Sequence, residues 1–201
     1  MKQIFILALV MSWLFSESME SLTINDQKFS LEKGSYNIYD SKGSYVKFYR
    51  VESNKTLTPV LRLTLNDTTG SCESKSLENG AYEIDGATIT FYTLWERKGR
   101  AYFDPFGAKI QKYKVTSDGK LEELSSMLYI EKTKRDYDDE SGMRYLFQKA
   151  KNEIEKEQFY AYVKEVESEY GGKFVFANES LELINRVEVA LKRKLRLMWS
   201  Q

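Results

Sequence analysis

From about residue 22 to residue 131, the side chains alternate between apolar and polar with a period of two. Leu61, Leu63 and Leu65 fall on one side of an extended segment, while Arg62 and Thr64 fall on the other. This period is typical of β-strands that bury one face and leave the other in water. Because these segments do not alternate with helical ones, a parallel sheet with crossover helices is not expected.

The pattern recurs in segments rich in β-branched and aromatic residues, which suit a pleated surface. These segments are residues 45–51, 88–95, 109–115 and 124–130. Between them lie residues that form tight turns, because Gly, Asn and Asp tolerate positive φ. The turn signals are Asp40-Ser41-Lys42-Gly43, Asn79-Gly80, Asp85-Gly86, Lys98-Gly99 and Asp118-Gly119. Strands spaced about eight to twelve residues apart predict an antiparallel meander, closed as a barrel or folded as a sandwich.

From Asp138 onward, the apolar residues recur at helical spacing. Residues 141–170 predict an amphipathic helix that bends near Glu157 and ends at Gly171-Gly172. A second helix is expected to begin at the capping residue Asn178. Its predicted apolar stripe is Leu181, Ile184, Leu191, Leu195 and Met198. The predicted fold class is therefore α+β, with the antiparallel β-meander followed by two C-terminal α-helices.

The N-terminus has the three parts of a secretory signal peptide. Lys2 supplies a positive charge, residues 4–15 are apolar apart from Ser12, and Ser16 and Ser18 occupy the −3 and −1 positions of a cleavage site. The apolar run is shorter than the roughly 20 residues that a transmembrane helix needs. The alternative is a buried N-terminal element of a cytosolic domain, which the abrupt change to polar residues disfavours.

We therefore expect a secreted or periplasmic protein with no transmembrane anchor in the mature chain. The expected organisation is a signal peptide over residues 1–18, an antiparallel β domain over residues 19–135, and a helical C-terminal region over residues 136–201 that packs on the β domain.

The composition excludes several activities. The chain has 30 Lys and Arg, 30 Asp and Glu, no His and one Cys. A balanced charge disfavours nucleic-acid binding, which needs a positive surplus. The lack of His excludes His-based triads and nearly all catalytic zinc sites, and one Cys cannot form a structural zinc site, an iron–sulfur cluster or an intrachain disulfide. We expect no cofactor, and no catalytic or metal-binding residues are predicted.

Residues 78–91 have the sequence Glu-Asn-Gly-Ala-Tyr-Glu-Ile-Asp-Gly-Ala-Thr-Ile-Thr-Phe. This segment resembles a hairpin, with the pattern G-x-Y-x-I-x-G-x-x-I-T-F, of small secreted bacterial β-barrels of the lipocalin-like and META type. Tyr113-Lys114-Val115 and Asp118-Gly119-Lys120-Leu121 resemble the next strand and turn. The resemblance covers residues 78–124 and implies an antiparallel, barrel-like fold without implying any catalytic residue. Residues 136–201 have no counterpart in the compact members of those families.

Five aromatic residues lie close together around a hairpin that Pro105 interrupts: Tyr92, Trp95, Tyr102, Phe103 and Phe106. If they line a barrel mouth or face outward, they are candidate contacts for an apolar small molecule, a glycan or an envelope protein. The alternative, which we favour, is that they fill the core, because a meander of this size needs large side chains inside.

Three further features have simple explanations. Asp136, Asp138, Asp139 and Glu140 have the oxygen ligands of a calcium site, but a solvated helix N-terminus explains them better. Cys72 is expected to be a free, partly shielded thiol rather than the disulfide partner of another chain. Asn54 lies in Glu52-Ser53-Asn54-Lys55-Thr56, which resembles an acidic bacterial glycosylation sequon.

After these exclusions, two classes of function are open for the chain. The first is a non-enzymatic binding or interaction protein of the cell envelope, which the signal peptide, the strands and the aromatic residues favour. The second is an envelope hydrolase that cleaves glycans with a pair of carboxylates. No pattern among the 30 acidic residues selects such a pair, so an enzyme is the less favoured class.

Overall fold

The structure is a computed structural model that describes residues 18–70, 75–98, 103–130, 153–175 and 177–199. Within these residues the elements are β1 (Ser18–Ile24), β2 (Gln27–Ile38), β3 (Ser41–Val51), β4 (Leu57–Thr69), β5 (Ser76–Asp85), β6 (Thr88–Lys98), β7 (Phe103–Val115), β8 (Leu121–Ile130), α1 (Glu153–Tyr170) and α2 (Ala177–Trp199). The predicted α+β class, an antiparallel meander followed by two helices, is confirmed.

The strands form one sheet in which each strand pairs with its neighbours in chain order. The predicted turns at Asp85-Gly86 and Asp118-Gly119 join strands of this sheet, and Gly86 and Gly119 have positive φ. The β1–β2 turn uses Asn25 and Asp26, whose φ angles of 50° and 61° suit a tight hairpin. The turn predicted at Asn79-Gly80 is wrong, because both residues lie inside β5.

The sheet folds over so that its first and second halves share one core. Apolar side chains of β1–β4 pack in a single cluster with those of β5–β8, and this side of the sheet is called the inner face. The cluster contains Ile24, Phe29, Leu31, Val46, Phe48, Leu63, Ile89, Phe91 and Val115. Burial of these side chains is the main source of stability for the folded sheet around this cluster.

Hydrogen bonds connect the start of the sheet to its end. Asn25 Nδ2 donates to the Val115 carbonyl at 2.8 Å, and Gln27 Nε2 donates to the Ser117 carbonyl at 2.8 Å. Among the described strands, β1 pairs with β2 alone and β8 pairs with β7 alone. The sheet is therefore strongly curved, but its two edge strands are not joined by backbone hydrogen bonds.

The two helices cover opposite faces of the second half of the sheet. Tyr162 and Val166 of α1 pack with Leu128 and Ile130, on the inner face of β8. Leu183 and Val187 of α2 pack on the outer face, with the set Leu94, Ala108, Ile110 and Val175. The stripe predicted for the second helix is wrong at Leu181, which is 68% exposed. The buried side is rotated toward Leu183 and Val187 because these residues meet the outer face of β6 and β7.

The segment between the helices lies along the edge of β8. α1 ends at Gly171 as predicted, with the Gly171 amide donating to the Glu167 carbonyl and a positive φ of 65°. The Leu128 amide then donates to the Lys173 carbonyl at 2.7 Å, and the Val175 amide donates to the Leu128 carbonyl at 2.8 Å. These bonds satisfy edge groups of β8 that no strand neighbour would otherwise pair.

Candidate functional site

The structure places Trp95 and Tyr92, two of the predicted aromatic contacts, on opposite faces of the sheet. Trp95 lies on the inner face, where its Nε1 donates to Glu78 Oε2 at 3.1 Å and its ring meets Tyr170 edge-on at 5.3 Å. Lys109 Nζ lies 5.9 Å from the Trp95 ring centroid and donates to the Tyr170 carbonyl at 2.7 Å. Burial lowers the pKa of Lys109. Trp95 is therefore part of the packed contact between α1 and the sheet.

Of the other four predicted contacts, the structure describes the side chains of Tyr92 and Phe106. Tyr92 lies on the outer face, where it packs near α2 and its hydroxyl donates to Glu83 Oε2 at 3.1 Å. Phe106 packs in the same cluster as Trp95, with the Arg97 guanidinium 4.1 Å from its ring centroid. Tyr102 and the side chain of Phe103 lie outside the part of the chain that the structure describes.

A different set of side chains forms a coherent surface on the outer face of β2, β3 and β4. We call this set the tyrosine face, and it consists of Glu32, Tyr36, Tyr45, Lys47, Tyr49 and Arg62. Strand register explains the grouping, because residues paired across antiparallel strands point to the same side. Glu32 pairs with Lys47, and Lys47 pairs with Arg62. The three residues thus form one row across three strands.

Glu32 is the centre of the tyrosine face. It is buried, and its carboxylate accepts hydrogen bonds from Tyr45 Oη at 3.0 Å, Lys47 Nζ at 3.0 Å and Tyr49 Oη at 2.6 Å. The hydrogen bond from Tyr49 and then that from Lys47 hold the pKa of Glu32 below its ordinary value, against the opposing effect of burial. The carboxylate therefore fixes two tyrosines and one lysine in place.

Two glycines let tyrosine rings lie flat against the sheet. Gly34 pairs with Tyr45, and Gly43 pairs with Tyr36. A Cβ on Gly34 would lie 2.4 Å from Tyr45 Oη, and one on Gly43 would lie 2.7 Å from Tyr36 Oη. Any side chain at either glycine would push the opposite ring away. The rings of Tyr36 and Tyr45 are nearly parallel, with centroids 6.4 Å apart and planes 25° apart.

One pair of carboxylates repels at the interface between the sheet and α2. Burial raises the pKa of Glu96, and the neighbouring Glu188 raises it further. Asn79 Nδ2 donates to Glu96 Oε2 at 2.7 Å and opposes this effect. Glu96 lies on β6 and Glu188 on α2, and both side chains are partly exposed.

Several other predicted features have a definite place. Asn54 lies in the exposed β3–β4 turn, where its Oδ1 accepts hydrogen bonds from the Thr56 amide at 3.0 Å and the Thr56 hydroxyl at 2.6 Å. Cys72 and the acidic residues from Asp136 to Glu140 lie outside the described residues. Neither α1 nor α2, over the residues described, is long and apolar enough to cross a membrane.

Comparison with protein-family models, curated proteins and solved structures found no match.

The tyrosine face was missed because its residues belong to the polar side of the alternating pattern. Tyr45, Lys47 and Tyr49 occupy every second position of one strand, and Glu32, Gly34 and Tyr36 do so on the preceding one. Tyrosines on the wet side of a strand, facing glycines on its neighbour, are a usable signal. The register that brings the two sets together is set by the observed β2–β3 turn at Tyr39 and Asp40. The sequence predicts the turn from Asp40 to Gly43 instead, which would pair different residues of the two strands.

Replacing Glu32 by Gln is expected to lower the free energy of unfolding by about 1.5–3 kcal/mol at pH 7, because an amide cannot accept all three hydrogen bonds and carries no charge. Since the pKa of Glu32 is lower in the folded state, its stabilisation is present above the unfolded pKa of about 4.3 and is lost as the pH falls through the folded value. Urea unfolding between pH 7 and pH 2.5 should therefore show the two proteins converging in acid.

The matched control is Glu20→Gln, which removes an exposed carboxylate. Glu20 forms an ion pair with Lys33, and the side chains of the two residues are 60% and 45% exposed, respectively. Exposed pairs of this kind contribute less than about 1 kcal/mol. Equal stability losses in the two variants would show that Glu32 does not organise the tyrosine face.

Proposed function

We propose that the chain is an exported, non-enzymatic binding protein of the cell envelope that binds through the tyrosine face. The main support for this proposal is that α1 and α2 pack on the two faces of β5–β8, whereas the outer face of β2–β4 presents partly exposed tyrosines and the exposed Arg62. A binding surface needs side chains that are fixed before the partner arrives, and the three hydrogen bonds to Glu32 supply that.

Binding at a surface is better supported than binding inside the folded sheet. The inner aromatic rings meet edge-on, with centroids 5.2 Å apart for Phe48 and Tyr82, 5.7 Å for Phe48 and Phe91, and 5.8 Å for Phe91 and Tyr113. An apolar small molecule would have to displace these contacts. Of the three partner classes expected from the sequence, a glycan or an envelope protein therefore fits better.

A secreted or periplasmic location is supported by the N-terminal sequence alone, from Lys2 to Ser18. Residues 1–17 lie outside the described part of the structure. Cleavage after Ser18 would leave a mature chain whose first residue, Met19, lies in β1. The exported protein should therefore begin at Met19 by mass spectrometry, whereas a full-length chain retained in the cytosol would contradict export.

The binding proposal is tested by sedimenting purified residues 19–201 with cell envelopes isolated from the producing cell. We expect the wild-type protein to sediment with them and Tyr45→Ser to bind at least about 5-fold more weakly, the usual cost of truncating an aromatic contact residue. Tyr160→Ser is the matched control, because Tyr160 is a 59% exposed tyrosine on α1. An equal loss in both variants, or no sedimentation of the wild type, would contradict the proposal.

The second candidate is the glycan hydrolase with a carboxylate pair, for which the interacting carboxylates Glu96 and Glu188 are the pair to test. Turnover of a chromogenic glycoside that disappears in Glu96→Gln would replace the binding proposal with this one.

A further inference from the structure

We propose that Asn54 is an N-glycosylation site, modified by an envelope oligosaccharyltransferase that recognises an acidic residue two positions before the asparagine. The inference concerns a covalent modification, so it goes beyond the proposed binding function and shares only export with it. Three asparagines of the chain are followed two positions later by Ser or Thr, with no Pro between: Asn54, Asn66 and Asn178. This triplet is the minimal acceptor motif for N-glycosylation. The three sites differ in their structural context.

The side chain of Asn54 is exposed and its amide nitrogen is free. Asn54 lies in the turn between β3 and β4, where residues 53–59 are all exposed. Its Oδ1 accepts hydrogen bonds from the Thr56 amide at 3.0 Å and from the Thr56 hydroxyl at 2.6 Å. Its Nδ2, the atom to which a sugar would be joined, donates to no atom of the described residues. The turn therefore fixes the oxygen of the amide and leaves the nitrogen available.

The hydroxyl of Thr56 is placed to assist a reaction at Asn54 Nδ2. An amide nitrogen is a weak nucleophile, because its lone pair is shared with the carbonyl group. When Nδ2 loses a proton, negative charge develops on the amide, and donors that already bond to its oxygen stabilise that charge. The hydroxyl and the backbone amide of Thr56 are two such donors. Both are in place in the folded chain before an enzyme binds.

The proposed transfer joins Asn54 to a saccharide that is carried on a lipid pyrophosphate. Nδ2 forms a bond to the anomeric carbon of the sugar. The bond between that carbon and the phosphate oxygen breaks, and its electron pair leaves with the lipid pyrophosphate. One Nδ2 proton passes to a base of the transferase. No oxidant or reductant is needed, so the lipid-linked donor and the enzyme account for the whole step.

The acidic residue of the motif, Glu52, lies across the turn from Thr56. The Glu52 amide donates to the Thr56 carbonyl at 2.9 Å, so the chain bends back on itself between the two positions. Arg50 and Thr58 donate to one carboxylate oxygen, Oε1, whereas Oε2 accepts no hydrogen bond from the described residues. The hydrogen bonds from Arg50 and then from Thr58 hold the pKa of Glu52 below its ordinary value. An enzyme that recognises the acid therefore meets a charged oxygen that the protein leaves open.

The other two motifs lie inside regular secondary structure. Asn66 is in β4, where it pairs with Ser44 of β3 on one side and with Asn79 of β5 on the other. An enzyme could bend this segment only by separating β4 from its neighbours. Asn178 is in α2, and the hydroxyl residue of its motif, Ser180, is 4% exposed. Modification of either asparagine would require local unfolding, which a turn does not.

The experiment is mass spectrometry of tryptic peptides from the mature chain, purified from the envelope of the producing cell. The three asparagines fall in separate peptides, which are residues 51–55 for Asn54, 63–75 for Asn66 and 174–186 for Asn178. We expect the first peptide to contain the added mass of one or more sugar residues and the other two to be unmodified. An unmodified first peptide, or a sugar on one of the other two instead, would overturn the inference.

Two substitutions at Thr56, each made in the producing cell, test the role of the hydroxyl. Thr56→Ala should abolish the added mass, and the matched control Thr56→Ser should retain it, because serine keeps the hydroxyl. Thr56 is exposed and lies outside the 51–55 peptide, so the same peptide is compared in all three proteins. Added mass that persists in Thr56→Ala would overturn the inference.

Glu52→Gln tests the class of transferase, and we expect it to lower the modified fraction of the same peptide. An unchanged fraction would overturn recognition of the acid. The N-terminal peptide separates this inference from the proposed function. An unmodified Asn54 in a chain that begins at Met19 would overturn glycosylation and leave export and binding in place, whereas a chain that still begins at Met1 would contradict export itself.

Discussion

Leu63→Asp is expected to unfold the protein at neutral pH. Leu63 is 7% exposed and packs in the inner cluster with Val46 and Phe48. A carboxylate at this position would be buried among apolar side chains without a partner, at a cost of several kcal/mol. Because the free energy of unfolding of such a domain is only about 5–15 kcal/mol, this loss removes most or all of it. Circular dichroism should show the loss of the strand signal and of a cooperative melting transition.

Leu124→Asp is the matched control, because it makes the same chemical change in another strand. Leu124 lies on β8 and is 50% exposed, so its replacement should cost no more than about 0.5 kcal/mol. A native spectrum and an unchanged melting temperature for Leu63→Asp would show that the inner cluster is not the core. Unfolding of both variants would show that the sheet tolerates no acid in either position.

The second large effect is expected for Gly80→Ala, where the addition of a single carbon should lower the free energy of unfolding by about 3 kcal/mol. A Cβ on Gly80 would lie 1.9 Å from the Thr64 carbonyl oxygen. That atom belongs to the backbone of β4, so the clash cannot be relieved by rotating a side chain. Overpacking against a fixed neighbour typically costs about 1–3 kcal/mol, and a backbone neighbour places this variant at the upper end. Urea unfolding of both proteins would measure the difference.

Gly86→Ala tests whether the effect comes from the close approach rather than from losing a glycine. Gly86 has a positive φ of 55°, and a Cβ there would meet no atom within 4 Å. The expected cost is about 1 kcal/mol, because an L-residue is strained in that conformation. A smaller loss for Gly80→Ala than for Gly86→Ala would contradict the close packing of β4 on β5.

The strands and helix ends that local chemistry determines were predictable. Leu61, Leu63 and Leu65 alternate because one side of β4 faces the core, and Gly171 ends α1 because only a glycine adopts its backbone conformation easily. Prediction from the local sequence pattern was wrong where a residue is required by a contact with a distant part of the chain. Asn79-Gly80 has the composition of a turn, but Gly80 is required by the Thr64 carbonyl in another strand. No short stretch of sequence contains that information.

The candidate site was harder to predict than the fold for the same reason. The aromatic residues near Pro105 are neighbours in sequence, but Tyr92 and Trp95 are an odd number of positions apart on β6, so the period-two pattern itself places them on opposite faces of the sheet. The residues that do gather, such as Glu32 and Tyr49, are distant in sequence and meet only when strand register is fixed. A period-two pattern identifies which side of a strand a residue occupies, but it does not align one strand with the next.

The segment joining the two helices has a consequence for self-association. A curved sheet with two open edges can add further copies of itself at both ends, which is how fibres grow. Lys173 and Val175 take up the amide and carbonyl of Leu128, so one of the two terminal edges is blocked at that point. Strand addition at the β8 edge would therefore have to break these two hydrogen bonds first.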